Sequence, residues 1–296
     1  MHFVKLFQPS FRYIGSTDVI GEIAMSDKTQ GPLIYRQSRW TRGTHWIWAI
    51  CLFFLMLTGL QIFNAHPTLN IGQQTGFEFD NAILEIGARG DGSAPYSGYT
   101  KFFGHEFDTT GYLGVSGPTQ EIRAFPAALT IPSNRSLATG RVIHFFFAWV
   151  LVGTLAIWAV ASVINGHIRS LIPTGRDLAG LPHDVANHAR LRFHHTREYN
   201  VLQKLAYASV LFVALPLMIL TGLSMSPSFN AVAPWLLDVF GGRQTARTIH
   251  FITMVGLIGF FVVHMVMILA AGPINELRSI ITGWYRIDPV EGGRDV

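Results

Sequence analysis

The sequence holds one cysteine, Cys51, in 296 residues. One thiol cannot form an internal disulfide and cannot by itself hold an iron–sulfur cluster. There is no C-x-x-C-H run, so covalent attachment of a c-type haem is excluded. Charge is scarce too. Only 14% of the residues are charged, against about 25% in an ordinary soluble domain. The net charge is +4 and no basic stripe stands out, which gives no footprint for a nucleic acid. Residues 1–40 lack an apolar core of signal-peptide length. No cleavable leader is expected, and Met25 is a candidate alternative start.

What the chain has in quantity is apolar sequence: 49% of residues are hydrophobic and the mean hydropathy is +0.33. Four long runs carry most of it, at about 44–63, 139–164, 202–225 and 247–271. Each is near the roughly 20 residues that cross a bilayer as a helix. The expected fold is all-α: an integral membrane four-helix bundle over residues 36–285. A cytoplasmic segment, 1–35, for which disorder is one expectation, precedes it, and a cytoplasmic tail, 286–296, follows. Pro216 is expected to kink the third span.

Residues 64–138 form a long polar connection with seven acids against four bases. Structureless loops beyond about 15 residues are uncommon unless functional. Short helical pieces and a docking surface are expected there. Lysine and arginine set the sidedness. Arg36, Arg39 and Arg42 precede the first span, six bases from Arg169 to Lys204 lie between the second and third, and Arg278 and Arg286 follow the fourth. These belong on the cytoplasmic side and the 64–138 loop outside, with both termini inside.

The last run carries His250 and His264, 14 residues apart. Two heptads return a helix to nearly the same face, with roughly 21 Å between them along the axis. An intramembrane ionisable residue is a functional-site hypothesis by default. Its partners are found at matching depths: His45 at the inner start of the first span and His144 at the outer start of the second. The pairs are then His45 with His264 and His144 with His250. Each pair can hold a haem iron from two faces, leaving no open position for oxygen, which suits electron transfer. Zinc fits less well, because it takes four ligands. The plain alternative is imidazoles that only bond helix to helix.

Arg42, Arg141 and Arg247 each stand three residues before one of these histidines, where a guanidinium can meet a haem propionate. Gly59, Gly222, Gly256 and Gly259 can leave room for a flat ring or simply let helices approach. An internal repeat is visible: L-T-G-L closes the first and third spans, and R-x-I-H-F opens the second and fourth. Y-N-V-L-Q-K at 199–204 places Asn200, Gln203 and Lys204 at the cytoplasmic start of the third span, as donors for a quinone headgroup or as a helix cap with a snorkelling lysine. Asn165 and His167 could join that site or close the second span. His183, His188, His194 and His195, with His66 and His105 outside, are read as solvated or partner-facing.

These motifs together resemble the di-haem b-type cytochrome subunits of bacterial respiratory oxidoreductases. That group includes thiosulfate-reductase-type cytochrome b, formate dehydrogenase gamma subunits, nickel–iron hydrogenase cytochrome b and bacterial cytochrome b561. The resemblance rests on R-G-T-H-W at Arg42–Trp46, G-R-V-I-H-F-F-F-A-W at Gly140–Trp149, Y-N-V-L-Q-K, G-G-R-Q-T-A-R-T-I-H-F at Gly241–Phe251, and His264. It implies two non-covalent b haems on His45, His144, His250 and His264. It also implies a quinone site near the inner haem. Asn200 and Gln203 match a Y-N-x-G-Q-K motif, with Leu202 in place of its glycine. The expected role is electron transfer between the quinone pool and an extracytoplasmic oxidoreductase, molybdopterin-dependent, docked on 64–138. Its own chemistry would be limited to quinone redox. Two rivals stand beside it: a stand-alone b561-type quinol or superoxide oxidoreductase, and a histidine-dependent transporter built of repeats.

Overall fold

The structure is a computed structural model of the chain. It describes residues 31–289 except Phe77, Ser93, Ala94, Asn165, His167, His194 and 196–198. A short strand, β1 (Leu33–Tyr35), leads into the first long helix, α1 (Arg39–Phe63). The outer connection holds strands β2 (Thr68–Asn70), β3 (Ala82–Arg89), β4 (Ser97–Phe102), β5 (His105–Asp108), β6 (Gly114–Ser116) and β7 (Glu121–Arg123). The second long helix is α2 (Leu137–Ile164), followed by α3 (Ile168–Leu171) and α4 (Gly175–Ala189). The third span is α5 (Val201–Ser209), a π-helical turn at Val210–Ala214, and α6 (Leu215–Met225). Two short helices, α7 (Pro227–Val232) and α8 (Trp235–Val239), lead to α9 (Arg243–Ala271). The chain continues as α10 (Pro273–Thr282) and β8 (Trp284–Arg286).

Four helical stretches are long and apolar enough to cross a membrane: Arg39–Phe63, Leu137–Ile164, Val201–Met225 and Arg243–Ala271. They reproduce the four expected runs and extend them at their polar ends. Their surfaces explain why. Val142, Phe146, Trp149 and Val160 on α2, and Phe261 and Leu269 on α9, are exposed. Contiguous apolar surface on this scale is unstable against water, whereas in lipid it is solvated. The helical backbone satisfies its own N–H and C=O groups, which hydrocarbon requires. In the third span the ladder widens to a π turn just before Pro216. Proline has no N–H to return to the carbonyl four residues back, and this is where the expected irregularity falls.

The outer connection corrects an expectation. Residues 64–136 are mostly β-structure, with one short 3-10 turn at Ala127–Leu129, where several short helical pieces were read from sequence. One antiparallel sheet has the order β2-β3-β4-β5, and β6 pairs with β7. Its small apolar core is Phe63, Leu69, Ile86 and Ala124, with Phe251 of α9 packed against it. Arg123 is buried and joins this region to the end of α1: it donates to Gln61 Oε1 at 2.6 Å, Thr130 Oγ1 at 2.9 Å and the Ser133 carbonyl at 2.6 Å.

The described residues fall in two compact units. One lies within Met1–Trp46, Leu155–Leu211 and Phe260–Val296, and the other comprises Ile47–Thr154 and Phe212–Gly259. Each long helix contributes a segment to both. In the first unit β1 pairs antiparallel with β8, and Arg36 lies over the rings of Tyr199 and Tyr285 at 4.7 and 4.4 Å. In the second, Phe54 of α1 stacks on Phe147 of α2 at 4.3 Å, and Trp48 donates to Thr154 at 3.0 Å.

Candidate haem site

His144 and His250 fall in one unit, and His45 and His264 in the other.

The surroundings of His144 and His250 are near copies of each other. Thr58 Oγ1 stands 2.9 Å from His144 Nδ1, and Thr221 Oγ1 stands 2.9 Å from His250 Nδ1. Each threonine sits in the L-T-G-L of its span, and each hydroxyl donates its proton to a carbonyl one turn back: Thr58 to Phe54 at 2.6 Å, Thr221 to Leu217 at 2.6 Å. A hydroxyl has one proton. With that proton committed, the oxygen can only accept from the ring, so Nδ1 carries the hydrogen in both histidines. In a neutral ring Nε2 then holds the lone pair, the form in which imidazole binds a metal.

The following glycine of each motif lies against the same ring. A Cβ built at Gly59 would stand 3.6 Å from His144 Cε1, and one at Gly222 would stand 3.5 Å from His250 Cε1. Among the described residues, nothing beyond its own helical turn lies within 4 Å of a Cβ built at Gly256 or Gly259. The donor set, two neutral imidazoles with fixed tautomers in an apolar span, fits a b haem. His45 and His264 fit it on a different observation. His45 Nδ1 is buried and has no hydrogen-bond partner among the described residues. His264 stacks on Phe260 at 5.7 Å between ring centroids. No group of three or more metal-ligating side chains occurs among the described residues, which leaves zinc without its four ligands.

The arginines are placed differently from one another. Arg42 donates to the Ile281 carbonyl, while its Nε is buried without a partner among the described residues. Arg141 is exposed and lies over the ring of Phe145 at 5.7 Å. Arg247 reaches back to the outer connection, donating to the carbonyls of His66 and Thr68 and meeting His66 Nδ1 at 3.0 Å. Sequence distance alone gave no sign of that contact.

At the start of the third span, Asn200 Oδ1 accepts from Gln203 N–H at 2.8 Å, and Gln203 Oε1 accepts from Asn200 N–H at 3.2 Å. The two side chains form a reciprocal helix cap. Lys204 Nζ is 3.0 Å from Asp177 Oδ1. The Thr174 backbone N–H, then Lys204 and the Thr174 hydroxyl, hold the Asp177 carboxyl down at about 2. Asn165 and His167 lie outside the described residues. Close by in sequence, His195 has a defined partner: its Nδ1 lies 2.7 Å from Tyr285 Oη, which donates to Glu276 Oε1 at 3.0 Å. Burial, reinforced by Glu276, pushes the Tyr285 phenol above its usual range. His183 and His188 bond within α4, and His105 is exposed on β5.

Sequence reasoning saw the L-T-G-L repeat but credited its glycines alone. The threonines were the missed residues, and their signal was the same repeat: each precedes the glycine and is fully buried.

Residues 174–283 match the family model of prokaryotic cytochrome b561. Over 235 residues the chain is 24% identical to an Azospira oryzae protein named "Putative protein-methionine-sulfoxide reductase subunit YedZ1", covering 77% of this chain and 87% of that one. No solved structure matches. Four apolar spans that carry histidines, and a cytochrome b561 match running from α4 through the fourth span, make the chain similar to b-type cytochrome membrane subunits.

Proposed function

We propose that the chain passes electrons between the quinone pool and an extracytoplasmic oxidoreductase, using an outer haem held by His144 and His250 and an inner haem held by His45 and His264. The observation that carries this reading is the duplicated Thr–His geometry, which presets the iron-binding nitrogen of two imidazoles. Two such ligands per iron favour electron transfer over oxygen chemistry. Bound haem supplies the one-electron redox step; the protein positions it and keeps it in an apolar surround. Arg42, with its unpartnered Nε, is the arginine best placed to meet a propionate, and Arg141 and Arg247 are the outer candidates.

For the quinone we propose the start of α5. Asn200 and Gln203 use their side-chain oxygens in the cap, so their amide N–H groups are the donors left for a quinone carbonyl. Lys204, Asn165 and His167 complete the proposed site. We place both termini in the cytoplasm of a bacterium and the β-structured 64–138 region outside. The relative's name supports a reductase as the outer partner, hence electron flow from quinol outward. A molybdopterin-dependent enzyme is the partner class implied by the family resemblance.

The experiment is to purify the chain, add a reduced short-chain quinol and follow the haem absorption bands, then add the candidate partner with its oxidised substrate. Reduction by quinol followed by reoxidation only with partner and substrate supports the proposal. Reoxidation by superoxide or oxygen alone, at comparable rates, favours the stand-alone rival. A colourless preparation favours the transporter.

A further inference from the structure

We infer that Thr58 and Thr221 are positioning residues that fix the two imidazoles that would hold the outer haem and keep its reduction potential down. The inference rests on the bis-histidine reading above and extends it to residues that never touch the iron.

The geometry is specific in three respects. Each threonine is fully buried, so its hydroxyl finds no water to trade for the histidine. Each hydroxyl proton is directed at the carbonyl of residue i−4, at 2.6 Å in both helices. This leaves the oxygen as a pure acceptor aimed at Nδ1, 2.9 Å away in both. A threonine that bonds only to its own helix is common in membrane spans. Two that do so and also reach a histidine on the neighbouring span, from corresponding positions of an internal repeat, make a matched pair of supports.

The consequence follows from ligand chemistry. A metal-ligating histidine that donates its other N–H to an acceptor is held in one tautomer and ring orientation, and becomes a more basic ligand. A more basic ligand favours the ferric state over the ferrous, so the midpoint potential falls. The inner pair lacks this device at one position at least, since His45 Nδ1 has no partner among the described residues. The two haems are therefore tuned by different means, and the threonines act on one only.

The test uses the full-length protein in its membrane or in detergent, with Thr58→Val, Thr221→Val and the serine variants at both positions. Valine keeps the shape and removes the acceptor; serine keeps the acceptor. Redox titration by absorption and low-temperature electron paramagnetic resonance are the readouts. The haem lost on His144→Ala identifies the outer centre. In each valine variant the outer midpoint should rise, by about a threefold change in the reduction equilibrium, or roughly 30 mV for one electron. Its resonance signature should shift, the inner haem should not change, and serine should restore both values. Should a valine variant lose the outer haem, retention in the serine variant supports the inference and loss there overturns it. Two retained haems with unmoved outer midpoint and signature in both valine variants also overturn it. A wild-type protein without two low-spin haems instead sinks the functional proposal.

Discussion

Asn200 and Gln203 cap each other across the first turn of the third span: each side-chain oxygen accepts the other residue's backbone N–H, at 2.8 and 3.2 Å. Any mutation there mixes two effects, loss of a helix cap and loss of the proposed quinone donor. Asn200→Asp separates them. Aspartate caps as well as asparagine but has no amide N–H to offer. We expect Asn200→Asp to slow quinol-dependent haem reduction at unchanged thermal stability. Asn200→Ala should slow it and also cost about 1 kcal/mol of stability. Stopped-flow reduction together with thermal unfolding checks both; unaltered kinetics in the aspartate variant removes Asn200 from the site.

Removing one ligand of a pair should remove one haem. His264→Ala is expected to lose the inner centre and keep most of the outer, and His250→Ala to do the reverse. Pyridine haemochrome quantification with a redox titration reads this directly. Loss of both centres from His264→Ala with the fold intact, or of neither, would show that the pairs are drawn wrongly.

The Asp177–Lys204 contact ties α4 to the start of α5 and gives a pH dependence of known sign. The Asp177 carboxyl is depressed in the folded chain, from 3.8 to about 2. Its contribution is therefore complete above pH 4 and fades as pH falls from about 4 toward 2, when the folded carboxylate itself takes up a proton. The protection of the α4 amides, taken relative to intrinsic exchange at each pH, should fall across that interval in the wild type. In Asp177→Asn it should be low already at pH 5. Equal protection in the two proteins at pH 5 would show the contact to be idle.

Arg123 is a buried cation of the outer region, paired with Glu121 at 3.2 Å and donating to Gln61, Thr130 and the Ser133 carbonyl. We expect Arg123→Leu to destabilise the 64–138 structure by about 3 kcal/mol, seen as early proteolytic nicking there, while both haems stay bound. Haem loss in step with nicking would mean that the outer region helps to hold the cofactor.

The parts legible from sequence were those with a local signature. A run of about 20 apolar residues declares a span by its length alone, and a histidine inside such a run stands out against its neighbours. The strands of the outer connection carry no comparable signal. Most are three to six residues long, and their pairing spans glycine turns, so polarity and length suggested helical pieces where hydrogen bonds between distant segments decide for β-structure. Arg247 is a case of tertiary override: three residues before a histidine it looked reserved for a propionate, yet the chain returns His66 and Thr68 to its guanidinium. Thr58 and Thr221 were half legible. Their motif repeated, but the contact that gives it meaning runs between helices, and a hydropathy pattern does not carry it.

All of these expectations depend on two irons per chain, each held between two imidazoles. The direct measurement is haem and iron content per polypeptide in the purified wild-type protein, with electron paramagnetic resonance of the oxidised sample. The account predicts two non-covalent b haems, both low-spin with bis-imidazole signatures. One haem per chain, or a high-spin centre with an open coordination position, would contradict it.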